Sequence, residues 1–275
     1  MLVNLKETLK GIKEKKCAVA GFNVFGYEDA SAVIKAAEAL KAPVILMTNK
    51  VAVAHMPIEY YGLLFTAMAK DAKVPVCIHL DHATDIDLVK RAIDSGFTSV
   101  MYDGSQLSIE ENIKNTKKVI ALAHPLNVSV EAEIGAVGYS GVEGYKEVYT
   151  EPEEAKHFAE ATGVDALAVA IGTLHRMETQ GAKIQFDRLK AIQGVTDVPL
   201  VIHGSTGITD EDLSKLTNYH VAKVNIGTAL RMMFGKTLRE EILNNPNEFD
   251  RIPLFKKPMI KVEEEAKKKM QLLGF

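Results

Sequence analysis

Eight times along this chain a short run rich in Val, Ile and Ala gives way to a polar stretch and then to a segment of helical periodicity. The runs are 17–24, 43–47, 75–80, 98–102, 127–131, 165–171, 198–203 and 221–226. They are largely apolar without strict alternation, which is the pattern of strands covered on both faces and therefore paired in parallel. Parallel neighbours need a crossover, and segments 28–40, 84–96, 109–123 and 152–163 have the helical spacing and the end caps to supply it. Eight such units in 275 residues predict an α/β fold, a (β/α)8 barrel of the TIM type forming one domain over residues 1–275. A doubly wound open sheet is the lesser choice, because Gly21 and Gly26 lack the spacing of a dinucleotide-binding turn. Residues 1–16 read as an amphipathic first helix. The lysine- and glutamate-rich tail, 257–275, reads as an extra C-terminal helix, a solvated face in preference to a packing arm for a second subunit.

Charge and cysteine content narrow the function. The formal net charge is -3, with 33 Lys plus Arg dispersed among 36 Asp plus Glu, so no basic surface for nucleic acid is expected. Two isolated cysteines, Cys17 and Cys77, build neither a disulfide framework nor a zinc knuckle, which fits a cytoplasmic protein. No apolar run approaches the roughly 20 residues that span a bilayer, so no membrane partner is expected.

In a barrel of this kind the carboxyl ends of the strands form the active site. Polar residues collect there: Asn23, Thr48, Asp81, His82, Asp103, Glu131, Glu133, His175, His203, Asn225 and Thr228. His55, His124, His157 and His220 lie in helical or loop patterns away from acidic partners and read as surface residues, and His79, inside its strand, reads as structural. His82, His175 and His203 each stand at or just past the end of a different strand. Three imidazoles converging on one rim with one position open is the arrangement of a catalytic zinc site. Asp81 precedes His82, and in a regular strand the two point oppositely, which favours an acid/base role for Asp81. The small-residue segment after Glu133 reads as a mobile loop that carries Glu143 over the site. The turns 203–207 and 225–228, with Gly204, Ser205, Thr206 and Thr228, follow strands seven and eight, where barrels commonly bind phosphate.

The segments LDHATD (80–85), EAEIGAVG (131–138), DALAVAIGTLH (165–175), LVIHGSTGI (200–208) and KVNIGT (223–228) resemble, in this order, those of the class II fructose-bisphosphate and tagatose-bisphosphate aldolases. The resemblance implies a Zn2+-dependent barrel aldolase that cleaves a ketose bisphosphate such as fructose 1,6-bisphosphate reversibly, assembled as a homodimer or homotetramer. It implies His82, His175 and His203 as zinc ligands and Asp81 as the residue handling the C4 hydroxyl proton. By it Glu133 lies near the metal, Asp103 is a polar neighbour, Asn225 contacts the dihydroxyacetone part, and Thr48, Gly204 and Thr228 meet phosphate or substrate oxygens.

Three departures bear on the substrate. Arg176 follows His175 where the family usually has Gly, at the point where backbone and a monovalent cation approach the ketose phosphate. Ser205 and Thr206 replace the usual Gly and Ser. The loop reads GYSGVEG in place of GGEED, which leaves Glu143 as the best substitute for the glutamate that moves the carbon-bound proton. The altered end keeps open a different, unphosphorylated or sulfonated ketose. A metal-dependent hydrolase is the rival by chemistry, although its usual HxH in strand one is missing, and Lys223 is the one strand lysine suited to a Schiff base. A non-catalytic barrel subunit is the remaining alternative.

Overall fold

The computed structural model describes residues 1–139 and 148–275. Eight parallel strands close on themselves: β1 (Val19–Asn23), β2 (Val44–Thr48), β3 (Val76–Ala83), β4 (Ser99–Tyr102), β5 (Ser129–Ile134), β6 (Ala166–Val169), β7 (Leu200–Ile202) and β8 (Val221–Ile226), with β8 pairing β1 to complete the ring. This is the (β/α)8 barrel that the spacing predicts. Helices α1 (Tyr27–Leu40), α2 (Ile58–Asp71), α3 (Ile86–Asp94), α4 (Ile109–Ala123), α5 (Pro152–Thr162), α6 (Phe186–Gln193), α7 (Asp210–Lys215) and α8 (Thr228–Asn244) follow the strands, and α9 (Arg251–Leu272) is the extra C-terminal helix. Side-chain oxygens start several of them: Asp85 accepts from Asp87 N ahead of α3, and Ser108 accepts from Glu111 N ahead of α4.

The alternation along each strand divides the core in two. Val44 and Leu46 face the helices, as do Ile78, Val130, Leu167 and Ile202, whereas Val19, Ile45, Cys77, Ala166 and Val201 fill the barrel interior. Both layers are fully buried, which is why the strands carry no polar/apolar alternation for the eye to find.

Two expectations about the termini are corrected. Residues 1–16 form two single turns, Leu5–Thr8 and Ile12–Lys15, because Gly11 between them takes φ 72° and ends helical winding. Their Leu5, Leu9 and Ile12 pack on Ile45, Cys77 and Val201 and so close the N-terminal end of the barrel. The tail helix α9 is solvated on one face only. Its Val262, Ala266 and Met270 are completely buried in the main core, on the side where α9 packs against α1 and α8. Among the described residues no helix is long and apolar enough to cross a membrane.

Candidate active site

The strand ends gather the site, and β3 does so by breaking its own regularity. Its pairing with β4 runs His79–Ser99 and Leu80–Val100, then jumps to Ala83–Tyr102. At the jump His82 holds φ 54°, a left-handed conformation that costs a residue with a Cβ about 1–2 kcal/mol. The extra residue lets Asp81 and His82 both turn inward, with His82 Nε2 4.0 Å from Asp81 Oδ1. The reading that regular alternation separates them is therefore corrected.

Each of two inward histidines is held by a carboxylate. His82 Nδ1 lies 2.8 Å from Asp103 Oδ2, and Asp103 Oδ1 accepts from the Ser105 hydroxyl at 2.7 Å. Burial opposes the Asp103 charge, but the bonds from His82 and Ser105 hold its carboxyl well below the usual carboxylate range. His203 Nε2 lies 2.9 Å from Glu131 Oε1, and the other oxygen of Glu131 receives Lys223 Nζ at 2.7 Å. Burial again opposes charge, yet Lys223 and then His203 keep the Glu131 carboxyl well below its ordinary value.

An ionised carboxylate only accepts, so His82 donates through Nδ1 and His203 through Nε2. Their remaining nitrogens, His82 Nε2 and His203 Nδ1, are 3.0 Å apart and present lone pairs to each other. Such a pair repels unless a cation sits beside it, either a metal ion or a proton. Without metal the proton answers: burial alone would lower the His203 pKa, but its contacts with Glu131 and Glu133 push it up to about 10. His175 is the third member, its ring 4.9 Å from that of His82 and 6.0 Å from that of His203. Ligand nitrogens of the three lie within 4.8 Å of one another, a grouping that could hold one metal ion. Glu133 Oε2, buried with no hydrogen-bond partner among the described residues, lies 3.3 Å from His203 Nδ1. His82, Asp103 and Glu133 form a second set of donors close enough together to hold a metal. The residues fit a metal ion held by nitrogen.

Asp81 faces the same space. Asn23 Nδ2 donates to its Oδ2 and Asn225 Nδ2 to its Oδ1, each at 3.1 Å. Burial raises its pKa, while the charges of His82 and His203 lower it further than burial raises it, so the carboxyl stays ionised. The side-chain Oδ1 atoms of Asn23 and Asn225 are buried and have no partner among the described residues, which leaves two acceptors for hydroxyl groups.

A cavity of about 330 Å³ opens over this group. It is lined by Asn23, Asp81, His82, His175 and Arg176, and on the side of the two turns by Gly204, Ser205, Thr206, Asn225 and Thr228. The Ser205 hydroxyl donates to the Asn225 backbone carbonyl at 2.6 Å, which ties the β7 turn to β8. Arg176 takes φ 59°, so the backbone conformation that favours glycine persists here with an arginine. His203, Asp103 and Glu133 do not line the cavity and group instead with His82 in the histidine cluster.

Thr48 is corrected. It has the parity of Val44 and Leu46, is completely buried, and does not line the cavity; Asn49, Lys50 and Val51 of the following segment do. Asn49 caps the helix Lys50–His55 by accepting from Val51 N and Ala52 N. Glu143 lies outside the described residues. His79 is structural as expected, with Nδ1 2.8 Å from the Ser99 hydroxyl. His55, His124 and His157 are exposed and His220 half-buried, but His124 has an acidic partner after all, Asp165 at 2.9 Å. Lys223 is completely buried and occupied by Glu131 and His79, below the histidine cluster and away from the cavity. Sequence reading missed Arg231, which lines the cavity from the first turn of α8. Its one signal is its position a single turn after Thr228.

A closed parallel barrel whose strand ends bring three histidines together beside an ionised aspartate, two of them opening on the cavity, defines a metal-dependent barrel enzyme. The profile of the class-II fructose-bisphosphate aldolase family matches residues 3–275, and the chain belongs to that family. Among solved structures it is similar to the YdjI aldolase of Escherichia coli K12, at 34% identity over 100% of this chain and 98% of that one, with a TM-score of 0.87. A Coccidioides immitis protein assigned as a fructose-1,6-bisphosphate aldolase shares 29% identity over 98% and 96% of the two chains, at a TM-score of 0.89. The fructose-bisphosphate aldolase of Campylobacter jejuni shares the fold at 23% identity, 99% and 93% coverage and a TM-score of 0.78. The protein is thus an aldolase, a carbon–carbon lyase, and the hydrolase and non-catalytic readings are set aside.

Proposed function

We propose that this aldolase is zinc-dependent and reversibly cleaves the C3–C4 bond of a ketose phosphate, of which fructose 1,6-bisphosphate is the reference case. The observation that carries the reading is the 3.0 Å approach of His82 Nε2 and His203 Nδ1 beside Asp81 at the cavity. His82, His175 and His203 would hold the zinc, a donor set of neutral nitrogens suited to that ion. When bound there it supplies Lewis acidity toward the C2 carbonyl oxygen, which offsets the negative charge left by the departing aldehyde.

The remaining work falls to side chains. Asp81, held at both oxygens by Asn23 and Asn225, takes the C4 hydroxyl proton as the bond breaks. The unpartnered side-chain Oδ1 atoms of the two asparagines accept from substrate hydroxyls and fix which ketose carbon meets Asp81. Glu143 is assigned the return of a proton to the carbon of the dihydroxyacetone unit. The backbone turn at Gly204–Thr206 and the start of α8 at Thr228 take the phosphate. A homodimer or homotetramer in the cytoplasm is proposed with it. Phe249, Ile252 and Leu243, 89%, 85% and 79% exposed around the α8–α9 turn, supply apolar surface for a second copy.

The test is a retro-aldol screen of phosphorylated and unphosphorylated ketoses with zinc added. Cleavage of a ketose phosphate, lost on chelation and regained with zinc, is expected. Full turnover after metal removal, or borohydride trapping of substrate on Lys223, refutes it. Sedimentation of the purified chain as a monomer refutes the assembly.

A further inference from the structure

Thr150 is completely buried where the ends of β5 and β6 meet the chain that enters α5. Its hydroxyl donates to the Ile134 carbonyl at 2.6 Å and accepts from Ala170 N at 2.8 Å, while its own backbone N–H donates to the Ala170 carbonyl at 3.0 Å. One residue thereby joins the ends of two neighbouring strands. Two positions earlier, Val148 forms an antiparallel bridge with Ala136, donating at 3.1 Å and accepting at 2.7 Å. Gly135 permits the approach: at φ 70° it leaves open a place where a Cβ would stand 2.6 Å from Thr150 Oγ1 and from the Val148 carbonyl oxygen. From α6, Arg188 completes the brace. Its Nη1 donates to the Thr150 carbonyl at 3.0 Å and lies 2.8 Å from Glu151 Oε1, and its guanidinium is 5.3 Å from the centre of the Tyr149 ring.

The brace holds the stem 134–139, and the stem reaches the histidine cluster. It passes Glu133, whose Oε1 accepts from Val137 N at 3.3 Å, and ends with Gly138 and Tyr139 paired in parallel with Leu174 and His175. His82 belongs to β3 and His203 directly follows β7, so the barrel itself fixes their backbones. His175 sits instead in a two-residue strand outside the barrel sheet, and among the described residues the ladder partner of that strand is Gly138–Tyr139. We propose that Thr150, gripped by Arg188, is a positioning residue that fixes the stem and, through it, the backbone of His175, so that the third imidazole meets the zinc. This rests on the reading of the histidine cluster as the zinc site. Neither residue lines the cavity. Losing the hydroxyl leaves the Ile134 carbonyl and Ala170 N–H short of a partner in a buried place, a cost the stem relieves by shifting.

The experiment is zinc affinity by chelator competition, on apo protein shown by circular dichroism to be folded, so that loss of stability alone leaves the affinity unchanged. Thr150→Val is expected to bind zinc about tenfold more weakly, Arg188→Gln to weaken binding in the same direction, and Thr150→Ser to bind as wild type does. Val89→Ala, a core truncation in α3, which packs on β3 and β4, is expected to retain full affinity. In a His175→Ala background Thr150→Val should cost nothing further, because the ligand it positions is gone. Wild-type affinity in both Thr150→Val and Arg188→Gln overturns the proposal, as does an equal fall in Val89→Ala. An undiminished loss in the His175→Ala background also overturns it and assigns the effect to Glu133. If Thr150→Val does not fold, Arg188→Gln decides, since that side chain is only half-buried and its wild-type affinity is sufficient to refute. A wild type that takes up no zinc refutes the zinc reading and this inference together, whereas a zinc-binding wild type with unaffected variants refutes the inference alone.

Discussion

His203 donates through Nε2 to Glu131 at 2.9 Å, and both side chains are completely closed to solvent. That bond decides which nitrogen of His203 is left for a metal, because only Nδ1 keeps a lone pair. Glu131→Gln keeps the volume but lets the amide present either a donor or an acceptor, and it leaves Lys223 without its counter-charge. Zinc affinity measured by chelator competition should fall about 10- to 100-fold. Thermal unfolding should show a loss of about 3–5 kcal/mol from the orphaned ammonium. Wild-type zinc affinity in this variant would mean that the carboxylate does not orient the ligand.

Asp81→Ala removes the proton acceptor and leaves the histidine cluster and the turns in place. A fall in kcat of about 10² to 10⁴ is expected with little change in KM, since the proton moves only in the transition state. A variant with full kcat and a raised KM would make Asp81 a binding residue.

Gly204 shows how the β7 turn and the β6 loop depend on each other. It takes φ 68°, and a Cβ there would stand 2.7 Å from the Leu174 carbonyl and 3.1 Å from the His175 backbone nitrogen. Gly204→Ala should therefore displace His175 as well as strain the turn. The expected result is a melting point lowered by more than 1 kcal/mol implies, together with a reduced zinc content after dialysis. Unaltered zinc content would separate the turn from the metal cluster.

Stability below neutrality should report on His79. Burial, and then the Lys223 charge, lowers its pKa from the model-peptide value of 6.5 to about 3. Below 6.5 the unfolded chain therefore takes up a proton that the folded chain refuses. The stabilisation is complete above pH 6.5 and is lost progressively as pH falls toward 3, with a slope of at most about 1.4 kcal/mol per pH unit. Between pH 6.5 and 5, above the range in which carboxylates titrate, urea unfolding of wild type should steepen with acid more than that of His79→Gln at equal metal loading. Parallel profiles for the two would show that His79 accepts its proton in the folded barrel.

Much of the frame is readable in the order of residues alone. Eight largely apolar runs set the strand count, because a strand buried on both faces admits few polar positions, and the polar residue that ends each run marks the rim. His82, His175 and His203 could be picked out for that reason, as could the turns at Gly204 and Thr228. Neither the direction in which Thr48 faces nor the shared orientation of Asp81 and His82 could be read so. Parity along β2 turns Thr48 toward the helices, and a bulge against β4 turns two consecutive residues inward. Glu131 looks in sequence like any strand carboxylate, and Arg231 like the wall of a helix. Their roles come from Lys223 and His203 in one case and from the cavity mouth in the other, partners tens of residues away. Local pattern determines which residues are buried and which end a strand, since those depend on backbone period and side-chain solubility. Closure of the barrel decides which lone pairs and charges meet, since that depends on contacts between strands remote in the chain.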